Sequence, residues 1–373
     1  MMVRPLIDIL AEIPDFRKAK GKRHPLSAIL AMACVAMMCG YKSYSAMAEW
    51  GRNYGEKLTK ALRFTHKKTP CAATLHTVFK NINKQDFEAK LSFWAEGVMS
   101  DSSEDETGGV SLDGKTLRGS QKQGAPGTHL LSAVSHGLGL TLTQQSGDHS
   151  TDELRIIHEA LQNLVLEGRV FTMDALNTQR KTAKTIIDGD GDYVMIVKDN
   201  QPKLLDDVKT IFHGPFSHLL KKSSSQTLDP GHGRIEARCL TASAELSGYS
   251  DWPGLEQVFQ LTRRAIITKT ERVREETVYG VTSLTVEQAG PKRLLELVRS
   301  HWHIENRSYW VRDVTFGEDH SQVRAGAIPQ VMAAIRNLVI GLMRWLGHTN
   351  IAAACRYFAA RPWEALEAIG IKN

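Results

Sequence analysis

Three carboxylates in this chain, Asp113, Asp174 and Glu305, have the surroundings that metal-assisted phosphate chemistry needs. Asp113 lies toward the end of a strand-like segment within SLDGKTLRGS, and Asp174 closes the strand-like run RVFTMDAL. Adjacent parallel strands end together, so two carboxylates 61 positions apart in sequence become neighbours in space. Phosphodiester cleavage places negative charge on the attacking, bridging and leaving oxygens. Two Mg²⁺ ions about 3.5–4 Å apart stabilise both ends of such an in-line displacement. Mg²⁺ takes hard oxygen ligands and keeps several waters, so a few carboxylates at strand ends suffice. A single Asp at a strand end is more often a turn acceptor or helix cap, and it is the pairing that favours a metal.

A third acid has to come from a helix beside those strand ends. Between Arg299 and Arg324 the candidates are Glu305, Asp313, Glu318 and Asp319. Helical spacing puts His301, Glu305, Tyr309 and Arg312 on one stripe, a mixture suited to facing metal and phosphate, and this selects Glu305. The plainer alternative is a surface Glu paired with His301. Lys115, Arg118, Lys198, Asn200 and Gln201 follow strand ends on the same edge, where cations and amides hold a scissile phosphate. Arg234 and Arg238 in GHGRIEAR are placed to clamp the DNA, unless they are solvated loop charges. Trp302 and Trp310 suit stacking on an unpaired base, although core packing is the commoner use of such residues.

The elements that must position these groups follow from periodicity. Residues 1–100 read as a small helical domain: Pro25 to Cys39 apolar almost all round, Ala46 to Phe64 amphipathic, and Thr74 to Ala95 near a 3.6 period. A polar, acidic, glycine-ended linker covers 101–109. Strands then follow at Gly109 to Lys115, His129 to Ser135 and Gly139 to Gln145. A helix opens at Thr151 with Asp152 and Glu153 in its first turn and runs to Leu166. Strand Arg169 to Leu176, helix Gln179 to Ile187 and strand Asp192 to Lys198 complete a β-β-β-α-β-α-β order. A three-strand meander continued by parallel crossovers predicts an α/β, ribonuclease H-like core over 110–198 and 288–346. The segment 199–287 reads as a β-rich insertion, with strands at Arg238 to Ala242, Gln257 to Thr268 and Glu276 to Ser283. Pro291 to Val311 and Pro329 to Leu346 read as helices, and 347–373 as a C-terminal tail.

Composition narrows the partners. The 373 residues are 42% hydrophobic and 24% charged, which excludes disordered, collagenous and coiled-coil classes. Net charge is +6, and residues 1–100 alone carry sixteen Lys and Arg against eight Asp and Glu, so the basic surplus is N-terminal and suits DNA phosphates. The five cysteines form no CxxC pair and are odd in number, as expected of a reduced cytosol. The longest apolar run, Ala28 to Cys39, has 12 residues, too short for a bilayer and too late for a signal peptide, so no membrane partner is expected.

Five segments in order, SLDGKTLRGS, FTMDALNTQ, DYVMIVKDNQ, GHGRIEAR and HWHIEN followed by DVTFGEDHSQVR, resemble the DDE-type bacterial insertion-sequence transposases of the H-repeat-associated group. The N-terminal IPDFRKAKGKRHPLSAILAMACVAMMCG resembles the helical segment associated with that group, so the resemblance spans nearly the whole chain. It implies cut-and-paste movement of a DNA element, with Asp113, Asp174 and Glu305 as the catalytic and metal-holding acids. The cofactor implied is Mg²⁺, with Mn²⁺ as its substitute. Double-stranded DNA is the implied partner, as terminal inverted repeats and target, bound by a homodimer in the bacterial cytoplasm with the nucleoid. Related enzymes carry a Tyr-Arg-Glu-Lys signature around the Glu; this chain has Val298, His301 and Arg312 at the flanking positions, and His301 and Arg312 keep positive charge for a phosphate. Cys71 to Ala73 replaces an expected Pro-Ser pair. The competing readings are a metal-dependent nuclease of the same fold and a non-catalytic DNA-binding descendant of a transposase.

Overall fold

The structure is a computed structural model describing residues 3–102, 108–121, 127–147, 153–231, 233–270 and 272–372. The N-terminal stretch is helical: α1 (Leu6–Ala11), α2 (Leu26–Met38), α3 (Tyr44–Ala61), α4 (Ala72–Asn81) and α5 (Lys84–Asp101). Every residue of α2 except Ser27 is buried, as an all-round apolar helix requires. The single helix expected from Thr74 to Ala95 is instead two. Ile82 leaves helical geometry, and the Asn83 side chain accepts from the Gln85 and Asp86 amides at 3.0 and 3.3 Å, so a capping residue overrides the continuing apolar period. Most of the acidic linker, 103–107, and the helix start at Thr151 and Asp152 lie outside the described residues.

Next come β1 (Gly109–Thr116), β2 (His129–Ser135), β3 (Thr141–Gly147), α6 (Glu153–Gln162), β4 (Val170–Met173), α7 (Arg180–Asp188) and β5 (Asp192–Val197), in the order read from the sequence. The following segment holds α8 (Pro202–His213) and four strands: β6 (Ser223–Gly231), β7 (Arg234–Ser243), β8 (Gln257–Ile267) and β9 (Arg272–Thr282). The polar SSSQTLDPG of β6 gave no apolar alternation to read, because it is an exposed edge strand. The helix expected from Pro291 to Val311 stops early: α9 (Pro291–His301) is followed by π-helical segments at Ile304–Tyr309 and Val311–Thr315. The chain closes with α10 (Ile328–Trp345), α11 (Ile351–Ala360) and α12 (Pro362–Ala368).

The chain is mixed α/β with a large mixed sheet, and it divides into two compact units. One comprises 1–107, 114–164 and 304–373; the other comprises 108–113 and 165–303. In the first, α2 packs with α1, α3, α10 and α11, and α5 and α10 cover β3. Glu88 of α5 is buried there, accepting from Gln144 Nε2 at 2.9 Å and Gln330 Nε2 at 2.8 Å, and burial pushes its carboxyl up to about 7. In the second, strands run in the order β1-β4-β5-β9-β8-β7-β6, with β1, β4 and β5 parallel and the remaining pairs antiparallel. The β-rich segment therefore extends the sheet through β9, Val194 facing Thr282. Gly280 allows this join, since a Cβ there would lie 2.1 Å from the Phe259 ring and 2.7 Å from the Met195 carbonyl. Leu240, Phe259, Leu294, Leu295 and Val298 form the core between sheet and α9. Among the described residues no helix is long and apolar enough to cross a membrane, and the five cysteines form no disulfide.

Candidate functional site

In the second unit the parallel register pairs Leu112 of β1 with Met173 of β4, so the next residues, Asp113 and Asp174, stand side by side where β4 ends. Both are half-buried. Strand alternation puts them on the face shared by Ser111 and Thr172. The end of α9 lies on that face: Ser111 Oγ donates to the His301 carbonyl at 3.2 Å, and Thr172 Oγ1 lies 3.1 Å from His301 Nδ1. Burial pushes His301 down to about 4, against a smaller opposing effect of its bond to Thr172. The ring is thus neutral at physiological pH, and the positive charge expected of it for a phosphate is absent.

Asp174 opens a loop fixed from several directions. Its Oδ1 accepts the Asn177 amide at 3.2 Å, and the Thr178 hydroxyl lies 2.9 Å from the Asp174 carbonyl and 2.7 Å from that of Ile196. Asn200 Nδ2 donates to the Ala175 and Thr178 carbonyls at 2.6 and 3.2 Å. Gln201 Nε2 donates to the Thr178 carbonyl at 3.2 Å and to Gln179 Oε1 at 3.1 Å. Asn200 and Gln201, expected at a phosphate, have these amides engaged in holding the loop that carries Asp174. Thr178 went unread in the sequence, although its spacing after Asp174 in DALNTQ was the available signal. Beside Asp174 opens a cavity of about 120 Å³ lined by Lys198, Leu261, Arg263, Glu276, Val298 and Trp302. Lys198 and Trp302 are exposed.

GHGRIEAR is also partly internal. Glu236 is buried on β7 with Arg263 bonded to it, Arg238 at 2.7 Å and Arg234 at 3.7 Å. Burial raises the energy of its charged form, but these guanidiniums outweigh burial and hold the carboxyl below its usual range. Arg238 also meets Asp229 at 2.6 Å, as does Arg299 of α9 at 3.1 Å. Arg238 is thereby committed within the fold, while Arg234 remains exposed.

In the first unit, Lys115 is nearly buried, bonded to Asp313 and 3.9 Å from both Glu318 and Asp319. Arg312 is wholly buried and meets Glu318 at 2.7 Å; Arg336 of α10 meets the other carboxylate oxygen at 3.0 Å. Burial works against the Glu318 charge, yet Arg312 and Arg336 outweigh it and keep the carboxyl below its usual range. Lys115 and Arg312, read as phosphate contacts, thus serve a buried ion cluster. Arg118 is 82% exposed at its side chain, 3.7 Å from Asp319. Glu305, in the π-helical segment, is exposed. The single stripe through His301, Glu305, Tyr309 and Arg312 does not form: π turns close hydrogen bonds five residues apart and so break the 3.6-residue stripe, and His301, Tyr309 and Arg312 are buried while Glu305 is exposed. Among the described residues, no three His, Cys, Asp or Glu side chains converge closely enough to hold a metal.

A mixed α/β sheet protein with two acids on adjoining parallel strands, abreast where β4 ends, is the class so defined. The Transposase DDE domain family matches residues 101–342, and the DDE_Tnp_1-associated family matches 7–95. The chain belongs to the DDE transposase family. It is 28% identical to "Putative transposase YncI" of Escherichia coli O157:H7, covering 92% of this chain and 88% of that protein. It is 27% identical to "H repeat-associated putative transposase YhhI" of Escherichia coli K12, covering 92% and 91%. Among solved structures, a piggyBac transposase synaptic complex with hairpin DNA aligns over 97% of this chain and 78% of that one, with 8% identity and a TM-score of 0.44.

Proposed function

We propose that this chain is a DNA transposase that binds the two ends of a mobile element, cleaves them with divalent cations and joins the resulting 3′-hydroxyls to target DNA. The observation that supports this reading is the parallel β1–β4 register, Leu112 beside Met173, from which Asp113 within β1 and Asp174 just past β4 follow as neighbours. Two hard, partly exposed carboxylates placed abreast fit Mg²⁺, or Mn²⁺ in its stead, and Glu305 is assigned as the third ligand from the family resemblance alone. When bound, such cations supply stabilisation of charge on the phosphodiester oxygens. The remaining work falls to the chain. Asp113 and Asp174 present oxygens, the bonds around Thr178 fix the loop carrying Asp174, and the exposed Lys198, Arg118 and Arg234 hold the DNA backbone. His301, Arg312, Lys115, Arg238, Asn200 and Gln201 support these groups from within.

In this reading 110–198 and 288–346 form a ribonuclease H-like catalytic core, 199–287 a β-rich extension, and 1–100 the part that binds terminal inverted repeats through its basic surplus. Residues 101–109 link the two, and 347–373 form the tail. Cutting two ends calls for a homodimer on DNA, acting in the cytoplasm with the nucleoid. The test is to incubate the full chain and Mg²⁺ with duplex element ends, and separately with pre-cleaved ends and a target plasmid. Cleaved and joined products are expected, both lost in Asp113→Ala and Asp174→Ala. Cleavage without joining would replace this reading with a nuclease, and binding with neither reaction would replace it with a non-catalytic DNA-binding protein.

A further inference from the structure

Within the first unit, two arginines that nothing above assigns a role converge on one cavity. Arg307 projects from the Ile304–Tyr309 segment, two residues past Glu305, and Arg344 from the last turn of α10. Both reach the turn between β2 and β3. Arg307 Nη1 donates to the carbonyls of His136 at 3.2 Å and Gly137 at 3.0 Å. Arg344 Nη1 donates to the Gly139 carbonyl at 2.8 Å, and its Nη2 to the carbonyl of Arg307. Gly139 has a φ of 65°, and a Cβ there would lie 2.6 Å from Arg344 Nη1, so glycine is what admits the guanidinium.

What sets this pair apart, among the described residues, is that its hydrogen-bond partners are carbonyls. Lys115, Arg238, Arg312 and Arg336 each meet a carboxylate. Among the described residues, Arg307 and Arg344 donate to neutral carbonyls, and no described carboxylate forms an ion pair with either. Burial, and then the neighbouring Arg307 charge, push Arg344 down to about 10, which still leaves it charged at neutral pH. Two like charges held together in a partly dry place are stabilised by a shared anion. The carbonyls engage two donors on each guanidinium, leaving three of the five on each for another ligand. The cavity beside them measures about 430 Å³, with Gly137, Gly347 and His348 on its walls, room for a phosphate group and its ester substituents. Among the described residues Asp101 also lines it, one acid against two guanidiniums.

We infer that Arg307 and Arg344 form a phosphate-binding site that takes one backbone phosphate of bound DNA. Planar guanidinium forks suit the tetrahedral oxyanion in bidentate fashion. The DNA source rests on the function proposed above; the phosphate chemistry does not. Its closeness in sequence to Glu305 would let it anchor the strand next to the acid.

The experiment measures binding of the full chain to a duplex element end by fluorescence anisotropy across a salt series, for wild type, Arg307→Gln and Arg307→Gln/Arg344→Gln. The double variant is expected to lose about one unit of the log K against log salt slope, the signature of one lost phosphate contact. Arg307 is exposed, so Arg307→Gln keeps the fold, checked by thermal melting, and weakens binding in the same direction. A second arm titrates inorganic phosphate and follows the melting temperature. An unchanged DNA slope together with phosphate stabilisation lost in Arg307→Gln overturns the DNA backbone as ligand and leaves a site for free phosphate. No change in either arm overturns the site altogether. If wild type binds no DNA, the function proposed above fails, while phosphate stabilisation lost in Arg307→Gln still supports the site.

Discussion

The Glu318 cluster and the Asp113–Asp174 pair both hold acids close to the sheet, and they are built in opposite ways. Glu318 is 3% exposed and bound on both oxygens by guanidiniums, with Lys115 close by. Its charge is answered inside the fold, so its work is architectural. Asp113 and Asp174 remain partly exposed, and Asp174 accepts a backbone amide and opens onto a cavity. Burial with full compensation locks a group in place, whereas partial exposure with a fixed backbone leaves a carboxylate able to bind something that arrives. Three of the cations read from the sequence as phosphate contacts, Lys115, Arg312 and Arg238, proved to be of the first kind.

The sharpest way to break this contrast is to remove each acid. Asp113→Ala or Asp174→Ala should lower strand cleavage by roughly 10³-fold or more, since divalent-cation stabilisation contributes several kcal/mol, with little change in melting temperature. Retained cleavage in a gel assay with either variant would remove the pair from the chemistry. Glu318→Gln should do the reverse at the level of the fold. It leaves Arg312 and Arg336 buried without a full counter-charge and should cost about 3–5 kcal/mol in urea unfolding. Because Glu318 titrates below the usual carboxylate range when folded, its contribution is present above about pH 4.3 and is lost as acid takes the pH down through its folded value. A Glu318→Gln midpoint equal to wild type would make the cluster dispensable.

Much of this contrast was legible in advance, and the limit falls at a definite place. Strand alternation and the following α and β signals located β1 and β4, and with them the neighbouring of Asp113 and Asp174, because the two parallel strands start in register, Gly109 beside Val170, although β1 runs on past the end of β4. Partner choice was not legible. Lys115 and Arg118 stand three residues apart in one motif, yet one is nearly buried against three acids and the other is 82% exposed. Periodicity also assumed 3.6 residues per turn through Arg312, and the π-helical segments after α9 have no sequence signature of comparable strength. Asn83 divides α4 from α5 through a side-chain cap, a local effect that a window average hides.

His301 tests the floor beneath the acids. Its folded value near 4 lies below the ordinary 6.5, so between these values the unfolded chain binds the proton first and stability falls as pH falls. Above about pH 6.5 the effect is nil, and by pH 4 it reaches roughly 3 kcal/mol. Urea midpoints of wild type between pH 7 and 4.5 should decline more steeply than those of His301→Gln, and parallel profiles would mean that the ring is solvated and able to carry charge toward DNA after all.

Asn200 offers the smallest effect and the finest discrimination. Its amide donates to the Ala175 and Thr178 carbonyls, and Thr178 in turn lies on the Asp174 carbonyl, so its influence reaches the acid only through the loop. Losing one such set of bonds costs about 1 kcal/mol, or some fivefold in rate if the whole loss falls on the orientation of Asp174. Asn200→Asp keeps the shape and removes the donor, so Asn200→Ala and Asn200→Asp should slow cleavage alike while the DNA dissociation constant and its salt slope stay at wild-type values. A direct phosphate contact predicts the opposite division: weaker binding, a shallower salt slope, and a larger defect for Asn200→Asp, whose new negative charge would repel the backbone. The ratio of the two variants' defects, read at two salt concentrations, therefore decides whether the amide holds the loop or the DNA.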